Sequence, residues 1–175
     1  SSEMKAQGID VINMSVGEPD FNTPDSIKNA AKKAIDENYS HYSPVSGYAD
    51  LRKAIVDKLK KANNLNYTID EVSVPNGAKQ CVCNAVLALV NHGDEVIIPT
   101  PYWVSYPQMV KLAGGNPVYV NAGFEQNFKM TPQQLEAAIT PKTKMLILCS
   151  PSNPTGRVVP RAELAKIADV VKKHK

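Results

Sequence analysis

Met145-Leu146-Ile147-Leu148-Cys149-Ser150-Pro151-Ser152-Asn153-Pro154-Thr155-Gly156 decides the fold. Five apolar residues in succession, closed by a turn with two prolines and a glycine, fit a strand buried on both faces. Upstream, Glu95–Pro99 and Pro117–Asn121 read as further strands, and Glu71–Pro75 as the first of the set. Helical periodicity fills the intervals between them. Val82, Ala85, Val86 and Leu89 repeat after Gly77, and a helix occupies much of Tyr102–Ala113. Thr131-Pro132-Gln133-Gln134 opens another as a capping box, with proline at the first helical position. Pro160 starts a last helix with Leu164, Ile167, Ala168 and Val171 inward. Strands alternating with amphipathic helices predict an α/β fold: a mostly parallel sheet in a three-layer α/β/α arrangement.

Before the sheet, Thr23-Pro24-Asp25 predicts a helix start with Thr23 as cap, followed by Ile27, Ala30, Ala31, Ala34 and Ile35 at helical spacing. A second helix follows Gly47 and ends near Asn63-Asn64, residues that tolerate the left-handed conformation. An apolar segment, Val11–Val16, precedes Gly17. The C-terminus stops inside a helix with no closing signal, which reads as a truncated chain.

Composition excludes several classes. Among 175 residues, 20 Lys+Arg stand against 17 Asp+Glu, a net +3 that is too small for a phosphate-tracking surface. Lys32-Lys33, Lys58-Lys60-Lys61 and Lys172-Lys173-Lys175 read as solvated helix faces, so no nucleic-acid partner is expected. No apolar run approaches the roughly 20 residues of a membrane-spanning helix, so no membrane partner is expected. Cys81, Cys83 and Cys149 cannot all pair within the chain, and three scattered histidines offer no metal site. A reducing, cytoplasmic setting fits this cysteine usage.

In parallel sheets, sites gather at the carboxyl ends of strands, which directs attention to Asn76–Lys79, Thr100–Trp103 and Ser150–Gly156. Gly77-Ala78-Lys79 joins a strand to a helix N-terminus, either a plain turn or a phosphate cradle. It has neither Walker A nor dinucleotide-fingerprint spacing. Trp103, with Tyr102 and Tyr106 nearby, is either core or a stacking platform for a flat ring. Asn153, rigidly held between prolines, either donates to a ligand oxygen or bonds its own backbone. Gly17 permits close approach of a ligand. Tyr42 either serves a phosphate or covers a helix. No Ser-His-Asp, Cys-His or paired-carboxylate arrangement supplies a reactive group.

The segments MSVGEPDFNTP (Met14–Pro24), HYSPVSGYADLRKAI (His41–Ile55), VPNGAKQ (Val74–Gln80), GDEVIIPTPYWVSYP (Gly93–Pro107) and CSPSNPTG (Cys149–Gly156) resemble the class I/II aminotransferases. The likeness is nearest to the bacterial-type aspartate aminotransferase branch. It implies the aspartate aminotransferase-like fold of pyridoxal 5'-phosphate (PLP) enzymes. Residues 1–40 would be the N-terminal segment and the connection between small and large domains, and residues 41–175 an incomplete PLP-binding large domain.

The same resemblance implies that Ala78 and Lys79 hold the cofactor phosphate through backbone amides. Trp103 would stack on the pyridine ring, and Asn153 would bond the ring hydroxyl oxygen. Tyr42 would reach the phosphate of the neighbouring subunit's cofactor, in a homodimer with shared sites. Gly17, with Trp103 and Asn153, would lie at the substrate.

The implied reaction moves an amino group between an amino acid and a 2-oxo acid via PLP, with aspartate as the expected amino donor. Aromatic, alanine or kynurenine aminotransferases, or a non-catalytic cofactor-pocket module, are the alternatives. The family's Schiff-base lysine has no matching motif here, and Lys79 stands at the phosphate end, so this chain alone is expected to be inactive. The resemblance also implies that strands absent from this chain separate Glu71–Pro75 from Met145–Cys149, leaving apolar sheet edges open.

Overall fold

The structure, a computed structural model, describes residues 2–12 and 17–174. Of the apolar segment Val11–Val16, residues 13–16 therefore lie outside the described residues, as does Lys175 of the last lysine group. Contacts divide the chain into two compact units, Ser1–Pro44 and Val45–Lys175.

In the first unit, α1 (Ser2–Ala6) precedes α2 (Asp25–Asp36). Pro24, not Thr23, occupies the N-cap of α2, and no side chain caps it. The fixed φ of proline suits the helix entrance, and Asp25 supplies negative charge in the first turn. The regularly spaced Ile27 and Ile35 of α2 are both exposed.

The second unit opens with α3 (Ala49–Asn63), which ends on Asn64 in the left-handed conformation, φ 54°, where asparagine is tolerated. Its successor departs from the sequence reading. Glu71–Pro75 contains no strand: Ile69–Glu71 is a 3-10 turn boxed by Thr68, and Val72 beyond it is extended. Strand residues need a ladder partner, and the donor of Val74 goes instead to the carbonyl of Ser46, at 3.0 Å.

The sheet is built from β1 (Glu95–Thr100), β2 (Asn116–Asn121) and β3 (Thr143–Leu146), in the order β2-β1-β3. Both pairings are parallel. β3 is shorter than the apolar run Met145–Cys149 suggests. Past Leu146 one bond continues the ladder, from Ile147 N–H to the Ile97 carbonyl at 3.0 Å, before the proline-containing turn removes donors.

Strand alternation sorts β1 between two cores. Val96 and Ile98 face α4 (Gly77–Leu89) and α5 (Ser105–Leu112), packing with Val86, Val90, Met109 and Val110. Ile97 faces the opposite layer with Val120, Met130, Leu135 of α6 (Pro132–Ala138) and Ile167 of α7 (Arg161–Lys173). Val96, Ile97 and Ile98 are all fully buried. Each such side chain contributes about 1.5–3 kcal/mol. The expected three-layer α/β/α arrangement with a parallel sheet is therefore present. No helix among the described residues is long and apolar enough to cross a membrane.

The capping box of α6 forms as read: the Gln134 N–H donates to Thr131 Oγ1 at 3.2 Å, and Gln134 Oε1 accepts from the Thr131 N–H at 2.9 Å. At the far end of this layer, Glu136 accepts from Lys173 Nζ at 2.6 Å and pairs with His174 Nε2 at 2.9 Å. The Lys173 bond, and then that of His174, hold the Glu136 carboxyl below its ordinary 4.5. A depressed carboxyl contributes stability above its unfolded value and loses it as pH falls through the folded one. Glu136→Gln is expected to lower the urea midpoint near neutral pH. The gap to wild type should shrink below pH 4.5 and close once the native carboxyl protonates; a gap that stays constant on acidification contradicts the assignment.

Candidate functional site

Three segments at the carboxyl side of the sheet carry the residues of interest: the entrance to α4, the β1–α5 turn and the turn after β3. The α4 entrance depends on Gly77, whose φ of +82° is a conformation that L side chains rarely adopt. Gly77 N–H donates to the Pro75 carbonyl at 2.9 Å, and Asn76 N–H to Gln80 Oε1 at 2.6 Å. The side chain of Asn76 caps nothing. The N–H groups of Ala78 and Lys79, in the first turn of a 13-residue helix, precede the first intrahelical donor and are left for an acceptor. Helix dipole and free donors together favour an anion there.

Lys79 is exposed, as its helix position suggests, yet its ammonium is directed: Nζ lies 5.1 Å from the ring centroid of Trp103. That cation–π contact joins the α4 entrance to the β1–α5 turn. Trp103 is half-buried against the first core cluster and meets Tyr106 edge-on, centroids 5.4 Å apart at 90°. Tyr102 stacks on Tyr119 of β2 at 5.3 Å and 13°. The neighbouring Tyr119 pushes the Tyr102 phenol pKa up.

Tyr106 is buried, 9% exposed, and burial pushes its phenol pKa up, with the nearby Cys149 adding to the rise. Tyr102, Tyr106, Cys149 and Asn153 line one narrow cleft together with Pro101 and Arg157, with about 30 Å³ of free space. Trp103 is not part of its wall and reaches it through Tyr106.

The turn after β3 is held by Ser152 N–H to the Arg157 carbonyl at 2.8 Å, Gly156 N–H to the Ser152 carbonyl at 2.7 Å, Val159 N–H to Ser150 Oγ at 2.9 Å, Arg157 N–H to Thr155 Oγ1 at 3.3 Å and Cys149 Sγ–H to the Pro151 carbonyl at 3.2 Å. The Asn153 side chain takes no part in these. Asn153 is one of the residues that line the cleft.

The structure thus brings Ala78, Lys79, Trp103 and Asn153 to one side of the second unit through a chain of contacts. Gly17 and Tyr42 lie in the first unit. Gly17 has open space where a Cβ would stand, and the side chain of Tyr42 is fully exposed. Sequence reading noted Tyr106 only as a neighbour and Cys149 only as a strand residue. The available signal was spacing: Trp103 and Tyr106 are three apart at a helix entrance, which puts both on one face. Among the described residues no group of His, Cys, Asp and Glu side chains could hold a metal ion.

A sequence profile of the family described as Aminotransferase class I and II matches residues 9–175. The aspartate/prephenate aminotransferase of Cereibacter sphaeroides is 56% identical over 172 residues, which are 98% of this chain and 43% of that protein. Among solved structures, the aspartate aminotransferase of Thermus thermophilus with maleate superposes with a TM-score of 0.94 at 41% identity, over 99% of this chain and 46% of that one. The aromatic aminotransferase of Pyrococcus horikoshii gives 0.90 at 43% identity, over 99% and 47%. The chain spans less than half the length of each of these relatives.

The conformation of Gly77 makes a specific demand. A Cβ at this position would meet nothing within 4 Å, so any cost of substitution comes from the backbone alone. Gly77→Ala is expected to destabilise by about 1–2 kcal/mol, and Gly77→Asn by less, because asparagine visits the left-handed region more readily. Urea denaturation of the two variants checks this; equal losses contradict it.

Proposed function

The chain belongs to the class I and II aminotransferases, and from that premise we propose that it is the cofactor-binding part of a PLP-dependent transaminase with aspartate as its amino donor. What carries the reading is the alignment of anion-seeking donors at Ala78 and Lys79, the indole of Trp103 and the unengaged amide of Asn153 along one connected surface. The donor set fits the group: an anionic tail, a flat ring and a ring oxygen each find a complementary partner. The cofactor, when bound, supplies the electron sink for amino transfer.

The residues of this chain then bind and orient. Backbone amides of Ala78 and Lys79 hold the phosphate, with Gly77 allowing the turn that aims them. Trp103 fixes the ring plane, and the Asn153 amide donates to the ring hydroxyl oxygen. By the motif likeness, Gly17 lies beside the substrate carboxylate, and Tyr42 reaches the phosphate of the neighbouring subunit in a homodimer. Residues 1–40 connect to a small domain, and residues 41–175 form part of the large one. The reactive lysine belongs to sequence outside these 175 residues, so the chain alone does not turn over. A cytoplasmic setting and amino-acid and 2-oxo acid substrates complete the proposal.

The aspartate assignment rests on the named activities of relatives, and the aromatic aminotransferase match keeps a second substrate class open to assay. The test is amino transfer to a 2-oxo acid by the full-length protein from a panel of amino donors. Aspartate is expected to be the best donor; an aromatic donor in first place reassigns the substrate, and no transfer from any donor overturns the proposal. Asn153→Ala is expected to weaken PLP binding to the cofactor-free protein about tenfold, the loss of one bond to a charged or polar ring oxygen. Spectroscopic titration with PLP measures it, and an unchanged Kd contradicts the role.

A further inference from the structure

Lys79 breaks the charge rule of its own helix. It stands in the first turn of α4, where the helix dipole disfavours a cation, and no acidic residue in that turn offsets it. Pro75, Asn76, Val82 and Cys83, three and four positions away, carry no carboxylate. Lysines of other helices find one at that spacing: Lys28 with Asp25, Lys53 with Asp57 and Lys172 with Asp169. Lys79 instead sends its ammonium out of the helix and over the Trp103 ring, 5.1 Å from the centroid. The indole is also held from a second direction. Tyr106 meets it edge-on, and the Tyr106 N–H donates to the Trp103 carbonyl at 3.0 Å. An edge contact and a face contact together resist both sliding and tilting of the ring. Tyr106 is fixed in the core, so the tilt is set by the exposed Lys79 side chain.

We propose that the side chain of Lys79 is a positioning residue: its ammonium clamps the Trp103 indole at the tilt a cofactor ring needs, while its N–H serves the phosphate. One residue then fixes the relation between the anion subsite at the α4 entrance and the ring subsite after β1. The inference rests on the PLP reading above, which uses only the backbone of Lys79, and gives the side chain a task. An ammonium that attracted the phosphate directly would need no indole, and that difference separates the clamp from a plain charge effect.

The experiment is a PLP titration of the full-length protein, freed of cofactor, in wild type and in Lys79→Arg, Lys79→Met, Trp103→Phe and the Lys79→Met/Trp103→Phe double variant. All of them keep the N–H at position 79. Lys79→Met is expected to raise the Kd about two- to fivefold, the loss of one exposed cation–π contact. Lys79→Arg, whose guanidinium also stacks on aromatic faces, should stay within about twofold of wild type. On the Trp103→Phe background the methionine change should cost less than about twofold, because the indole it releases is already gone. Time-resolved anisotropy of the fluorescence that Trp103→Phe removes reads the clamp without cofactor. It should show more sub-nanosecond ring motion in Lys79→Met and wild-type motion in Lys79→Arg. If Trp103→Phe fails to fold, the methionine–arginine contrast in Kd carries the test alone. A wild type with no saturable PLP binding overturns the functional reading and the clamp with it. A wild type that binds, with Lys79→Met less than twofold weaker, with Lys79→Arg losing as much as Lys79→Met, or with the same methionine penalty on the Trp103→Phe background, overturns the clamp only. Unchanged ring motion in Lys79→Met does the same.

Discussion

Strand β1 is paired on both edges and buried on both faces, and the rest of the second unit is arranged around that constraint. Val96, Ile97 and Ile98 are the only consecutive fully buried residues of the described strands, and they take one core from each helix layer. Parallel pairing on both sides aligns the strand ends, so the turns that follow β1 and β3 emerge beside each other on one side of the sheet. The helix α4 packs on the same face as α5, which brings the N–H groups at its start to that side too. The site is thus a by-product of sheet direction: its residues need no long excursions to meet.

The contacts across the site differ in kind. A helix entrance with free donors binds charge and is insensitive to small displacements. An indole face and a single amide demand more exact placement, since stacking and hydrogen bonding both fall off steeply with angle. The structure supports these two residues unequally. Trp103 is braced by the core, Lys79 and Tyr106, whereas Asn153 depends on the backbone bonds of its own turn and on the cleft wall. The second turn is therefore where the arrangement of the candidate site is most easily lost.

Much of this architecture is legible in the residues, for reasons that are local. The Thr131 capping box, the apolar period of α4 and the left-handed Asn64 each depend on neighbours within four positions. Glu71–Pro75 has the composition of a strand but lacks a ladder partner, a property of distant residues that no window reveals. The same holds at the site. Ala78, Trp103 and Asn153 stand out because turns and strand ends mark them. The direction of Lys79 toward an indole 24 positions away, and the cleft wall that Tyr106 and Cys149 share, arise only when strands pair.

The order β2-β1-β3 also carries a temporal meaning. Of the three described strands, the central one is translated first, and its two neighbours emerge after it, one on each side. Chains grow at about 5–20 residues per second, so β1 waits several seconds for Thr143–Leu146 while its second edge stands open. Among the described strands the sheet therefore grows outward from β1, and the arrival of β3 on its second edge is what sets the Asn153 turn in place.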